Sequence, residues 1–210
     1  MITEAVAQRK LQCSWYNSGW VFAGGASHST ALASVFGCNF RETFAMTADR
    51  DLFRRAMASF ATGVTLVTVD YAGSVKGMTA NAFASVSLEP LLVLVCVDHK
   101  AETHAYLHTR KRFGINILSA GQRAVSVHYA NPDRESITME PGSEAKFDRT
   151  AHGTPMLHGA LAYLECRLQD TRDAGDHTIF IAEVENLVVR SGDPLLYFRR
   201  NYHGLGPEIS

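Results

Sequence analysis

The amino-acid sequence predicts a mainly β protein, an antiparallel barrel with a few connecting helices. Three observations lead there. Segments rich in β-branched and apolar residues recur between residue 64 and residue 202, giving about six strands against two or three helices. The strands are joined by hairpin turns or short helices rather than by regular strand–helix–strand alternation, which favours a closed barrel over a doubly wound sheet. No GxGxxG follows a strand, so a Rossmann nucleotide site is not expected.

Residues 1–45 stand apart. They hold both tryptophans and two of the four cysteines, include Gly24-Gly25, and show neither helical periodicity nor clean alternation. They read as an N-terminal extension, poorly ordered or upstream of a natural start at Met46. The alternative is an element that packs on the domain through Trp15 and Trp20. Residues 46–210 form a comfortable single-domain length. Leu52, Phe53, Ala56, Met57 and Phe60 recur at helical spacing, predicting a helix over 49–61 with Thr47 as cap and Gly63 just past its end.

Residues 64–71, VTLVTVDY, predict a strand, and Ala72-Gly73-Ser74 turns it into a hairpin that ends near Gly77. A turn-like GMTANAFASVS follows. Leu91 to Val97 is an unbroken apolar run, too short for a membrane span and right for a buried strand. A short helix is expected over 103–110, a strand over 113–118, and a helix from a Ser119 cap through Tyr129. Residues 131–148 are polar, with Pro132, Pro141 and Gly142, and read as a surface loop. From 160 to 168 the chain alternates, with Ala162, Leu164, Cys166 and Leu168 on one face and Tyr163, Glu165 and Arg167 on the other, as in a half-buried antiparallel strand. The turn 173–176 leads into a long strand over 178–189, and 194–202 makes a last short strand or turn.

Bulk properties narrow the function. An apolar fraction of 46% and a charged fraction of 20% over 210 residues are those of a soluble globular chain. A net charge of −1 gives no footprint for nucleic acid or an acidic membrane. The cysteines form no CxxC pair and no zinc-like cluster with histidine, so no metal is expected and a reducing cytoplasm is the simplest compartment. No GxSxG elbow supports serine–histidine–acid catalysis.

Three places carry candidate chemistry. Thr79, Asn81, Ser85 and Ser87 would point to one side of an extended chain, with Ala80, Ala82 and Ala84 between them. That row is either the polar rim of a heteroaromatic ligand or a solvated strand face. Asp98 to Thr103 sits where the buried strand gives way to a helix. Lys100 and Thr103 beside unpaired helix N–H groups make an anion site, unless Thr103 merely caps the helix and Lys100 is solvated. His177 opens the long strand, as a substrate-positioning group or as a satisfied structural histidine. The tail Tyr197 to Tyr202 is aromatic and basic, suited to covering an aromatic ligand or to closing the barrel.

Eight segments appear in the order of one family: FRRAMASFATGVTLVT (53–68), GMTANAFASVSLEP (77–90), LVLVCVD (92–98), FGINIL (113–118), KFD (146–148), GALAYLECRL (159–168), GDHTIFIAEV (175–184) and PLLYFRRNY (194–202). Together they resemble the flavin reductase-like FMN-binding split barrels, and more narrowly the reductase components of two-component flavin monooxygenases. The resemblance implies a homodimeric, Greek-key split β-barrel that binds FMN or FAD near the dimer interface. NADH or NADPH would pass a hydride to flavin N5, and reduced flavin would leave for a separate monooxygenase component.

By the same resemblance Thr79, Ala80, Asn81, Ala82, Ser85, Val86 and Ser87 face the isoalloxazine and ribityl groups. Asp98, Lys100 and Thr103 hold the phosphate, Phe113 belongs with the cofactor contacts, and His177 in the GDH motif lies near the nicotinamide. Ala101 stands where the family often has serine, and Glu102 where a basic residue is common. Both departures favour loosely held flavin. Leu91 and Ala182 replace a common proline and glycine as packing variants. The competing function is a flavin carrier without reductase activity, and a more distant one is a pyridoxamine-phosphate-type oxidase.

Overall fold

Asp49 caps the first helix: its side-chain oxygen accepts the Leu52 N–H at 2.7 Å. The structure, a computed structural model, describes residues 49–133 and 145–209, which fall in the unit Thr47–Ser210. The expectations for residues 1–45, for Thr47 as a cap and for the middle of the 131–148 loop lie outside the described residues. Helix α1 spans Arg50–Ala58, shorter than the sequence suggests. Ser59 ends it, and Gly63 lies instead in strand β1 (Thr62–Gly63). The apolar residues of α1 remain largely exposed, with Phe53 at 60% and Phe60, just beyond the helix, at 68%.

The barrel is a seven-stranded antiparallel sheet. Its strands are β2 (Thr65–Tyr71), β3 (Ser74–Ala80), β4 (Phe83–Leu88), β5 (Leu91–Asp98), β6 (Arg112–Ile117), β9 (Ala162–Ala174) and β10 (His177–Val189), in the order β3-β2-β6-β9-β10-β5-β4. The end strands β3 and β4 are joined in sequence by Asn81 and Ala82 alone and are not paired with each other. The curled sheet therefore has a seam at that link, and the Cys96 N–H, donating to the Ala82 carbonyl at 3.0 Å, holds the link to β5 on the β4 side. Helix α2 (Glu102–Arg110) buries Leu107 in the core enclosed by the sheet, with Val67, Val95, Val97, Ile115 and Phe180. Its end is a left-handed Lys111.

A second core lies on the other side of β2 and β6. Leu66, Leu118, Val125, Leu157 and Leu195 meet there. Helix α3 (Arg123–Ala130), preceded by the 3-10 turn Ala120–Gln122, contributes Val125. The short hairpin β7 (Phe147–Arg149) and β8 (Pro155–Leu157) contributes Leu157. The sequence reading missed this hairpin. It changes the environment of β9, expected to be half-buried: Tyr163 and Glu165, on the face read as outward, are fully buried. The Thr150–Thr154 turn covers that face, and Glu165 accepts hydrogen bonds from Thr150 Oγ1 (2.6 Å), Thr154 Oγ1 (2.7 Å) and Asn186 Nδ2 (2.8 Å), with His152 Nδ1 at 3.2 Å. The tail forms two strands, β11 (Leu196–Phe198) and β12 (Asn201–His203), which pair with each other, and β11 also pairs with β1.

Candidate functional site

The apolar run of β5 ends at Asp98, and its carboxylate shapes the turn that follows by accepting the Lys100 N–H at 2.8 Å. The turn delivers the chain to α2, whose N-cap is Ala101 and carries no side-chain cap. Thr103 is thus inside the helix and is not its cap. The first N–H groups of α2 are left without a capping side chain, beside the Lys100 ammonium, which has no ion pair among the described residues. Glu102 is paired instead with Lys76 at 3.4 Å and accepts from Tyr106 Oη, so its charge is partly neutralised away from the turn.

A cavity of about 380 Å³ opens at this point. Thr79, Asp98, Lys100 and Thr103 all line it, with Met78, Glu102, Tyr129 and Asn131 among its other walls. Four of the sequence-predicted residues are therefore brought together. Tyr129 and Asn131 were missed, because the sequence read Tyr129 only as the end of a helix and Asn131 only as the start of a loop. Thr79 Oγ1 donates to the Ser126 carbonyl at 2.7 Å, which fastens α3 to β3 and sets the width of the cavity.

The rest of the predicted row is arranged differently. β3 ends at Ala80, Asn81 and Ala82 cross the seam, and a bulge in β4 shifts the register between Ser85 and Ser87. The break and the bulge each interrupt alternation, so Thr79, Asn81, Ser85 and Ser87 do not form one continuous row. Asn81 Nδ2 donates to Thr62 Oγ1 at 3.3 Å and lines a second cavity of about 330 Å³ with Phe60, Thr62 and Phe83. Ser85 and Val86 are exposed on the edge strand, and Ser87 Oγ accepts the Glu89 N–H at 3.1 Å. Ala80 packs in the barrel core. Phe113 is a correction: its side chain is fully buried among Leu107, Ile115 and Cys166 and has no surface to offer a ligand.

His177 lies directly opposite Asp98 in the β10–β5 ladder, at the same end of the barrel as the turn. Its Nδ1 is 2.7 Å from Asp176 Oδ1, which holds the Asp176 carboxyl below its ordinary range. Next to it, buried Thr178 is a hub. Its hydroxyl donates to Asp173 Oδ1 at 2.7 Å, so its lone pairs are left for His99 Nε2 (3.1 Å) and His104 Nε2 (2.9 Å), which must donate. Burial, then neighbouring His108 and His99, push His104 below the usual imidazole value. No group of acidic, histidine and cysteine side chains among the described residues is arranged to hold a metal.

The fold is a curled antiparallel barrel that gathers an uncapped helix start, a cavity of about 380 Å³ and a histidine at one end, the form of a small-molecule pocket. The sequence model described as a flavin reductase like domain matches residues 57–206, and the chain belongs to that family. It is 38% identical to an NADH-dependent flavin reductase of Rhodococcus sp over 159 residues, covering 72% of this chain and 84% of that protein. It is equally 38% identical to the reductase component of 4-hydroxyphenylacetate 3-monooxygenase of Thermus thermophilus, covering 74% of this chain and 97% of the relative. The solved styrene monooxygenase flavin reductase of Pseudomonas putida superposes with a TM-score of 0.67 at 35% identity, covering 75% of this chain and 99% of that one. No helix among the described residues is long and apolar enough to cross a membrane.

Proposed function

We propose that the protein is an NADH- or NADPH-dependent flavin reductase that hands reduced FMN or FAD to a separate flavin-dependent monooxygenase component. The observation that carries this reading is the cavity at the start of α2, where Lys100, Thr103 and the uncapped helix N–H groups meet Thr79 and Tyr129. These residues fit a flavin phosphate and the chain that leads from it to the ring. The bound flavin supplies the hydride-accepting chemistry. Lys100 and the first turn of α2 hold the phosphate, Asp98 holds the turn in shape, and Thr79 fixes the far wall. His177 positions the nicotinamide, held by Asp176 on one side of its ring. Ser85, Ser87, Asn81 and Ala82 border the ring from the seam. Orientation of donor and acceptor is the protein's contribution, and no protein nucleophile is required.

The enzyme is a homodimer in this reading. Val86, Leu88 and Leu91 stand exposed on the edge hairpin β4–β5, and Leu187, Val188 and Val189 on the far half of β10. Exposed apolar side chains on an edge strand are a liability that a second copy removes. The reaction belongs in the cytoplasm, where Cys96 and Cys166 stay reduced.

The test is consumption of NADH and NADPH by the purified protein with FMN, FAD, riboflavin or no flavin. Flavin-dependent turnover is expected, and the same assay fixes the preferred pair. A folded protein that binds flavin but oxidises neither donor is a carrier, and the reductase reading fails. Light scattering on the purified protein checks the dimer, and a monomeric mass at micromolar concentration would remove it.

A further inference from the structure

A third cavity, of about 270 Å³, lies between α1 and the β11–β12 hairpin. Arg54, Arg199 and Arg200 line it together with Phe53, Phe60 and Tyr197, and no lining residue is acidic. Arg54 has one ion pair, to exposed Asp51 at 3.8 Å. Arg199 and Arg200 have none among the described residues. Three arginines thus border a concave, aromatic surface with almost no counter-charge, the Arg199 guanidinium lying over the Phe198 ring, 5.1 Å from its centroid.

The backbone there is strained. Phe198 pairs with Asn201, so Arg199 and Arg200 are the two central residues of the hairpin turn, at φ +48 and +66. Left-handed conformations at both positions favour Asn-Gly, because a Cβ clashes with the following carbonyl. Two arginines are a poor choice for the turn itself. The Arg199 N–H donates to the Ala58 carbonyl at 2.9 Å and locks the turn against the end of α1. Strain that the surroundings hold in place in this way is characteristic of ligand sites.

The cavity also has a neighbour. Phe60 and Asn81 line both it and the 330 Å³ cavity along Ala61–Thr65. The two cavities therefore share a wall, and Asn81 in that wall lies at the seam where the flavin ring is proposed to lie.

We infer that the arginine-lined cavity binds the adenylate half of a dinucleotide, with the diphosphate on Arg54, Arg199 and Arg200 and the base against Phe53 and Phe60. Guanidinium forks match phosphate oxygens bidentately, and aromatic faces stack a base. The chemistry is that of an adenosine diphosphate group. It reaches the protein as part of FAD or as part of the nicotinamide dinucleotide, and only the identity of that source rests on the reductase reading.

The experiment is calorimetric titration of the full chain with ADP, FAD and FMN, for the wild type, Arg199→Gln and Arg200→Gly. Arg200→Gly removes a charge and relaxes the left-handed position, so its melting temperature should equal or exceed that of the wild type and lost binding will not reflect unfolding. Saturable ADP binding is expected, weakened about tenfold or more in each variant, the scale of a charge-assisted hydrogen bond. FAD weakening in step, with FMN unaffected, assigns the cavity to the flavin dinucleotide. A rise of about tenfold in the KM for NADH, with both flavins unaffected, assigns it to the nicotinamide dinucleotide. No saturable ADP binding by the wild type, or ADP affinity unchanged in both variants, overturns the inference. Flavin-dependent turnover without ADP binding would sink it alone, whereas ADP binding without turnover would sink the reductase reading alone.

Discussion

Replacing Glu165 with glutamine tests how the barrel wall is held. Burial by itself would push this carboxyl up, but hydrogen bonds from Thr150, Thr154, Asn186 and His152 outweigh it and hold the group at about 2, below an ordinary 4.5. That difference corresponds to about 3 kcal/mol of folding stability at neutral pH. Glutamine keeps one acceptor oxygen but turns an amide donor towards groups that are themselves donors. We expect Glu165→Gln to lose about 3 kcal/mol in urea denaturation near pH 7, or about 6–12 °C in melting temperature for a domain of this size. The sign of the pH dependence is fixed. The folded carboxyl is the stronger acid, so its contribution is complete above the ordinary carboxylate range and is lost as pH falls from about 4.5 towards about 2. The gap between wild type and variant should therefore close on acidification. A gap under about 0.5 kcal/mol near pH 7, or one that stays constant down to about pH 3, would refute the account of Glu165 as a charged staple.

Three further predictions bear on the site and the core. His177→Ala should lower turnover with the nicotinamide donor while leaving flavin affinity nearly intact, and steady-state kinetics with a flavin titration would show it; an unchanged rate removes His177 from the site. Lys100→Ala should weaken FMN about tenfold and leave riboflavin unaffected, since only FMN carries the phosphate; equal losses for both would place the phosphate elsewhere. Gly114→Ala should cost about 3 kcal/mol in a denaturation series, because an added Cβ would lie 2.6 Å from Thr68 Oγ1, 2.7 Å from Tyr163 Cε2 and 2.9 Å from the Pro155 carbonyl.

The parts of the fold legible in the sequence are those whose burial is written in a single segment. Leu91 to Val97 was legible as a strand, and β5 lies between β4 and β10, but it buries only Val93, Val95 and Val97 and leaves Leu91 exposed. The turn at Asp98–Thr103 was legible for the same reason, because a strand end followed by a helix start has few possible geometries. Strands β7 and β8 were not, since three residues carry no periodicity and each is held mainly by the other. Glu165 was misread because strict alternation puts it outward, and only Thr150, Thr154 and Asn186, distant in sequence, explain its burial. Phe113 was assigned to the cofactor by resemblance, yet the position faces the barrel interior. The arginine turn at 199–200 was noted only as basic and aromatic. Its meaning depends on backbone angles that composition does not encode.

The strand order has a consequence for how the chain assembles. The β4–β5 hairpin forms locally, but its only other partner in the sheet is β10, whose His177 faces Asp98 from far along the chain. Pairings of that separation form slowly, and on the ribosome β10 emerges after every other strand of the large sheet. Until it docks, the hairpin that carries the Asp98–Thr103 turn is untethered from the sheet, its edge open to other nascent chains. A ligand that requires the finished turn thus selects chains whose synthesis has passed Val189. Supplying it during expression should raise the soluble yield by trapping those chains, rather than by speeding the early hairpin.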